Sequence, residues 1–239
     1  MRAMVSICER YAHDFKILFN PNKSKLLCCN VKDTSMVKMT LCGKPVEIVD
    51  SVQYLGSYVS RDTSDRNIES VIQDFWYKHN CMRANFNMLN SYILNKLHST
   101  YCMNIYGSEL FNYNSKYVNK LYVAWRKALR QLFNIDYRTH NYIVFSLSGN
   151  IEIRLHRKLA RFIFTLLNSE NLYVSDVVSH LLQFSSSTIA ENYRYLSCMY
   201  NITPDDWIHD MSCVLRKVKS PDILSDEYAI NVSVAKELM

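Results

Sequence analysis

Apolar side chains recur at two different periods along the chain, and the change falls near residue 60. Before it, Met4, Ile7, Cys8, Tyr11 and Phe15 return at steps of three and four, which predicts an amphipathic helix over residues 2–14 packed on something. Short apolar runs follow. Ile17 to Phe19 reads as a strand, Asn20-Pro21-Asn22 as a turn, and Leu26 to Val31 as a second strand. Val37 to Leu41 and Val46 to Val49 flank Gly43-Lys44-Pro45 and read as a hairpin. Val52 to Val59 reads as a strand pair broken at Gly56.

From Asp62 the period becomes helical. Ile68, Ile72, Phe75, His79, Met82, Phe86 and Leu89 lie on one stripe, with Thr63, Ser64 or Asp65 as cap candidates. This stripe is expected to face a core rather than a dimer seam, because it runs for only about three heptads. A second helix is expected over 92–106, ending at Gly107. A third runs from a Ser115 cap to about Phe133, with Val118, Leu121, Tyr122, Trp125, Leu129 and Leu132 inward. A fourth spans about 151–167 and buries Leu155, Leu159, Phe162, Ile163 and Leu166. Three more helices are expected beyond it, the last starting at Thr203-Pro204-Asp205-Asp206. The fold class is therefore α+β, mostly α. Residues 1–60 form a small α+β piece, 61–185 a helical region and 186–239 an acidic helical segment.

Composition supports this division. Only 4 Gly and 4 Pro occur in 239 residues, and few breakers favour long helices. The net charge of +6 is uneven. Residues 1–60 carry eight Lys/Arg against five Asp/Glu, residues 61–168 fifteen against seven, and residues 169–239 five against ten. A basic block in the middle of a folded chain suits a polyanion, because neutralised phosphates release counterions. The 8 cysteines have no repeated spacing, and no secretory leader or apolar run of about 18 residues is seen. The expected location is intracellular, cytoplasmic or nuclear, not secreted and not in a membrane.

Several blocks, in order over residues 4–178, carry a family resemblance. Cys8-Glu9-Arg10-Tyr11-Ala12 with Phe19-Asn20-Pro21-Asn22-Lys23-Ser24-Lys25 is similar to the helix, turn and strand that follow the catalytic hairpin in reverse transcriptases of non-LTR retrotransposons. Val52-Gln53-Tyr54-Leu55-Gly56 resembles that family's Tyr-Leu-Gly strand turn, and Ser99 to Leu110 its helix ending in Tyr-Gly. Ala124-Trp125-Arg126-Lys127-Ala128-Leu129-Arg130, Tyr137-Arg138-Thr139-His140 and Asn168-Ser169-Glu170-Asn171 resemble three further blocks of metazoan elements.

The resemblance implies the end of a palm, a helical thumb and a helical extension. It places Lys23 near the phosphates of an incoming nucleotide, and Tyr54 and Gly56 near a primer end. The intact family enzyme uses carboxylates to hold two Mg ions, and its Ala-Asp-Asp hairpin has no counterpart here. No cofactor is expected for this chain and no catalytic residue is assigned. Asp205 and Asp206, the only adjacent aspartates, read as helix-start acids.

What remains is a nucleic-acid grip. Arg126, Lys127 and Arg130 project opposite the apolar stripe of their helix, Lys116, Lys120 and Arg138 extend the patch, and Arg154, Arg157, Lys158 and Arg161 form a second basic face. Tyr117, Tyr122 and Tyr137 are candidates to stack on bases. His180, Cys198, His209 and Cys213 have gaps that fit no zinc pattern, so no metal site is expected. The leading expectation is an inactive remnant with residual RNA or DNA binding through phosphate contacts. One alternative is a piece of an active polymerase whose first part lies upstream, which the upstream reading frame decides. The other is an interaction protein that self-associates through the exposed palm-like face.

Overall fold

A computed structural model describes residues 2–28, 37–54, 57–60, 66–102 and 105–219. The chain is mostly helical with little strand and divides into two units, residues 1–67 and 68–239.

In the first unit, helix α1 spans Arg2–Asp14, as the periodicity predicts. Its stripe is left open: Met4, Ile7, Tyr11 and Phe15 are all more than half exposed, and only Ala12 is buried. Residues 17–19 form no strand, a departure from expectation. The Ile17 N–H folds back onto the Ala12 carbonyl at 2.8 Å rather than onto a strand, and Leu18 is 95% exposed. Strand β1 (Lys25–Leu27) begins the expected second strand, whose last residues lie outside the described set.

The hairpin is shorter than expected. Strands β2 (Thr40–Leu41) and β3 (Lys44–Pro45) are joined by Cys42 and Gly43, both at positive φ, as a tight I′ turn requires. Strand β4 (Glu47–Val49) leaves this hairpin and runs parallel to β1, where Lys25 pairs with Glu47. Strands β5 (Ser51–Tyr54) and β6 (Ser57–Ser60) make the expected antiparallel pair. Gly56 and the cap candidates Thr63, Ser64 and Asp65 lie outside the described residues.

The second unit is built on helices α2 (Arg66–Phe86), α3 (Ser91–Tyr101), α4 (Lys116–Leu132), α5 (Asn141–Ser148), α6 (Ile151–Leu167), α7 (Leu172–Phe184), α8 (Thr188–Tyr200), α9 (Pro204–His209) and α10 (Met211–Lys217). On α2 the predicted stripe buries Ile68, Phe75, His79 and Met82, whereas Phe86 and Leu89 emerge into solvent at the helix end. Helix α3 stops earlier than expected; the chain then turns through Gly107 at φ 70 into a 3-10 turn, Ser108–Leu110.

Local signals set the bounds of α4 and α6. The side chains of Ser115 and Asn150 cap the first free N–H groups, and the inward faces follow the 3.6 period. On α6 only Leu155, Leu159 and Ile163 of the predicted set are fully buried, and Phe162 and Leu166 are half-buried at its edge. Helix α6 is the hub, packing on α4, α7, α8, α9, α10 and the 3-10 turn. One hydrophobic core runs from Ile68 to Val218. Helices α5 and α10 are additions to the predicted set, and α9 is not the last helix.

Asn192, fully buried on α8, works as a substitute backbone. Its amide nitrogen donates to the Phe111 carbonyl at 2.7 Å and its oxygen accepts from the Tyr113 N–H at 3.0 Å.

Candidate nucleic-acid interface

Burial of one face of α4 decides which of its cations reach solvent. Val118, Leu121, Tyr122, Trp125, Ala128, Leu129 and Leu132 are inward. Lys116, Lys120 and Lys127, at steps of four and seven, share the opposite stripe and are exposed. Beside them α2 presents Glu69, Gln73 and Trp76, again one helical stripe. Between the two rows lies an open groove of about 690 Å³ that all six residues line.

Aromatic contacts hold the groove walls. Trp76 is half-buried and meets Phe75 and His79 edge-on, at centroid distances of 5.8 and 5.5 Å. His79 Nε2 lies 3.2 Å from Gln131 Oε1 and ties α2 to the end of α4. The Lys116 and Lys120 ammoniums stand over the Tyr117 ring at 5.4 and 4.4 Å, which positions them without neutralising them. Among the described residues these two and Lys127 have no ion pair. Among the described residues that line the groove Glu69 is the one acid, against three lysines.

Most of the predicted arginines are engaged inside the fold. Arg126 Nη1 donates to Glu152 Oε1 at 2.7 Å. Arg130 reaches the Thr139 carbonyl at 2.7 Å and Asn141 Oδ1 at 2.8 Å. Arg154 donates to Ser99 Oγ, Arg157 to the carbonyls of Val218 and Leu215, and Lys158 to the Ile105 carbonyl and Glu109. Arg138 folds back on Tyr137, donating to its hydroxyl at 2.7 Å. Arg161 is exposed with no such partner among the described residues, but it does not line the groove.

Of the predicted stacking tyrosines, Tyr137 is 72% exposed and Tyr117 lies under the lysines. Tyr122 is buried, and burial pushes its hydroxyl pKa upward; it lies 3.2 Å from His156 Nε2, while the Tyr200 hydroxyl lies 2.6 Å from Nδ1. A base cannot reach Tyr122 in this fold. Burial also lowers His156 to about 4, so the network is neutral at pH 7.

In the first unit, Lys23 sits exposed in a turn organised by Asn20, whose carbonyl accepts from the Lys23 N–H at 3.1 Å. Tyr54 ends β5 and is 65% exposed.

A Mg site of the kind the resemblance implies needs carboxylates with free oxygens. Asp206 closes a capping box with Thr203 on α9, and its oxygens also accept from Lys217 Nζ at 2.6 Å and Cys213 Sγ at 3.2 Å. The Lys217 ammonium first, then Thr203, hold its carboxyl well below the usual carboxylate range. Such a carboxylate is already saturated and does not fit a metal ligand. Among the described residues no three His, Cys, Asp or Glu side chains converge to hold an ion, and His180 packs instead on Phe184.

The wall formed by Glu69, Gln73 and Trp76 is not among the residues singled out from the sequence. Its signal was available as an i, i+4, i+7 row flanking the buried stripe of α2. No protein-family model, curated protein or solved structure matches this chain.

Proposed function

We propose that this chain is the palm end, thumb and helical extension of a non-LTR reverse transcriptase and binds RNA or DNA without sequence preference. The ordered sequence blocks support the ancestry. The observation that carries the binding is the row of Lys116, Lys120 and Lys127, three ammoniums along one groove that have no ion pair among the described residues. Charges left unpaired by the fold are the ones a phosphate backbone can neutralise.

The test is the salt dependence of binding to labelled RNA and DNA. Replacing the three lysines together by alanine should weaken binding and reduce the log–log salt slope by about 2. Replacing Arg126 and Arg130 should leave that slope unchanged. No binding at low salt to either nucleic acid overturns the reading.

The open face of α1 favours a second reading, self-association through Met4, Ile7, Tyr11 and Phe15. Sedimentation as a monomer that binds no hydrophobic dye counts against it.

A further inference from the structure

We infer that the groove between α2 and α4 takes a single strand, with one base against the Trp76 ring and neighbouring phosphates on Lys116, Lys120 and Lys127. The inference rests on the nucleic-acid reading above and adds the form of the ligand.

Size is the first argument. A groove of about 690 Å³ falls in the range of about 300–1,000 Å³ that encloses small organic ligands. It suits a nucleotide or two in an extended strand and not a duplex, whose bases are stacked on one another and show only their edges. The lysines supply the second argument. Lys116 and Lys120 are one turn apart and Lys127 two turns further, so the row runs about 16 Å along the helix beside the groove. A charged row beside an aromatic wall is the arrangement by which proteins grip single strands, because every base has a stacking face.

Composition of the opposite wall adds direction. Glu69 lines the groove on α2 and repels phosphate, which favours seating the backbone along α4 and the base toward α2. Gln73 offers an amide that can donate or accept, so it accommodates any base edge.

Tryptophan emission reads this site directly. Trp125 and Trp207 are each 1% exposed in the core, leaving Trp76 as the accessible indole. The protein is titrated at fixed low salt with an oligothymidylate and with a hairpin duplex carrying the same number of phosphates. The single strand should quench emission and bind about tenfold more tightly than the duplex. Both Trp76 variants lose the quench with the indole, so their affinity is read from the anisotropy of a labelled strand: Trp76→Leu should lose about tenfold, whereas Trp76→Phe, which keeps a ring and the packing on Phe75, should retain most of the affinity. Glu69→Gln should raise affinity about twofold.

Equal binding of both ligands without quenching overturns the single-strand assignment and leaves the nucleic-acid reading standing. Full affinity in both Trp76 variants overturns the stacking. Failure of the wild-type protein to bind either ligand overturns both readings.

Discussion

Arg126 Nη1 and Glu152 Oε1 meet at 2.7 Å and join the middle of α4 to the first turn of α6, with side chains only 19% and 28% exposed. The pair is structural, since each charge is satisfied by the other. Arg126→Ala strands a partly buried carboxylate and should cost about 1–3 kcal/mol in urea unfolding. Nucleic-acid affinity at constant salt should not change. Loss of affinity in a folded Arg126→Ala protein would return this arginine to the binding surface.

Acid should weaken the fold through buried imidazoles. Burial lowers His98 from its ordinary 6.5 to about 4, with His79 nearby adding to the shift, and burial lowers His156 to about 4 and depresses His79. Between about 4 and 6.5 the unfolded chain binds these protons and the native state does not, so stability rises with pH through that window. It is fully present above 6.5 and lost as pH falls toward 4. His98 and His156 each contribute a slope of up to about 1.4 kcal/mol per pH unit there, and His79 acts in the same direction. Thermal melts from pH 7.5 to 4.5 check this, and a flat profile would contradict it.

The two acids of α9 should behave differently despite being adjacent. Asp206 carries the cap, the Lys217 ion pair and the Cys213 contact, whereas no hydrogen bond or ion pair involves the exposed Asp205 among the described residues. Asp206→Ala should lower Tm by several degrees and loosen α10, while Asp205→Ala should leave Tm nearly unchanged. Paired melts of the two variants decide it.

Thiol labelling should separate the cysteines by burial. Cys8, Cys42 and Cys198 are exposed, and Cys102 is buried with its thiol pushed up to about 11. The first three should react with a disulfide reagent within the mixing phase at pH 8. Cys102 should react only on unfolding, because both access and thiolate are suppressed. Fast labelling of Cys102 in the native protein would show that its helix opens locally.

Residues whose fate depends on near neighbours were legible in the sequence. Ser115 caps Tyr117, two residues on, and α4 and α6 begin and end where period and cap predict. Helix α5 was not legible, because Tyr142, Ile143, Val144, Phe145 and Leu147 form a nearly continuous apolar run without a polar face. The basic patch was half legible. That Arg126, Lys127 and Arg130 face away from the core follows from periodicity, but Arg126 finds Glu152 26 residues away and Arg157 finds the Val218 carbonyl 61 residues away. Partners at such separations are set by the packing of helices, which periodicity does not specify. The groove has the same origin, since Trp76 reaches the lysines of α4 only through tertiary packing.

The two hydrogen bonds of Asn192 tie the segment that enters α4 to a helix far along the chain. They span 79 and 81 residues, and they supply the partners that Phe111 and Tyr113 lack in their own segment. Asn192→Leu, which keeps the site buried, would therefore leave two backbone groups unanswered, at a cost comparable to lost hydrogen bonds. Contacts between residues so far apart in the chain are slow to close in chain-entropy terms, and these two fasten the entry to α4 onto α8.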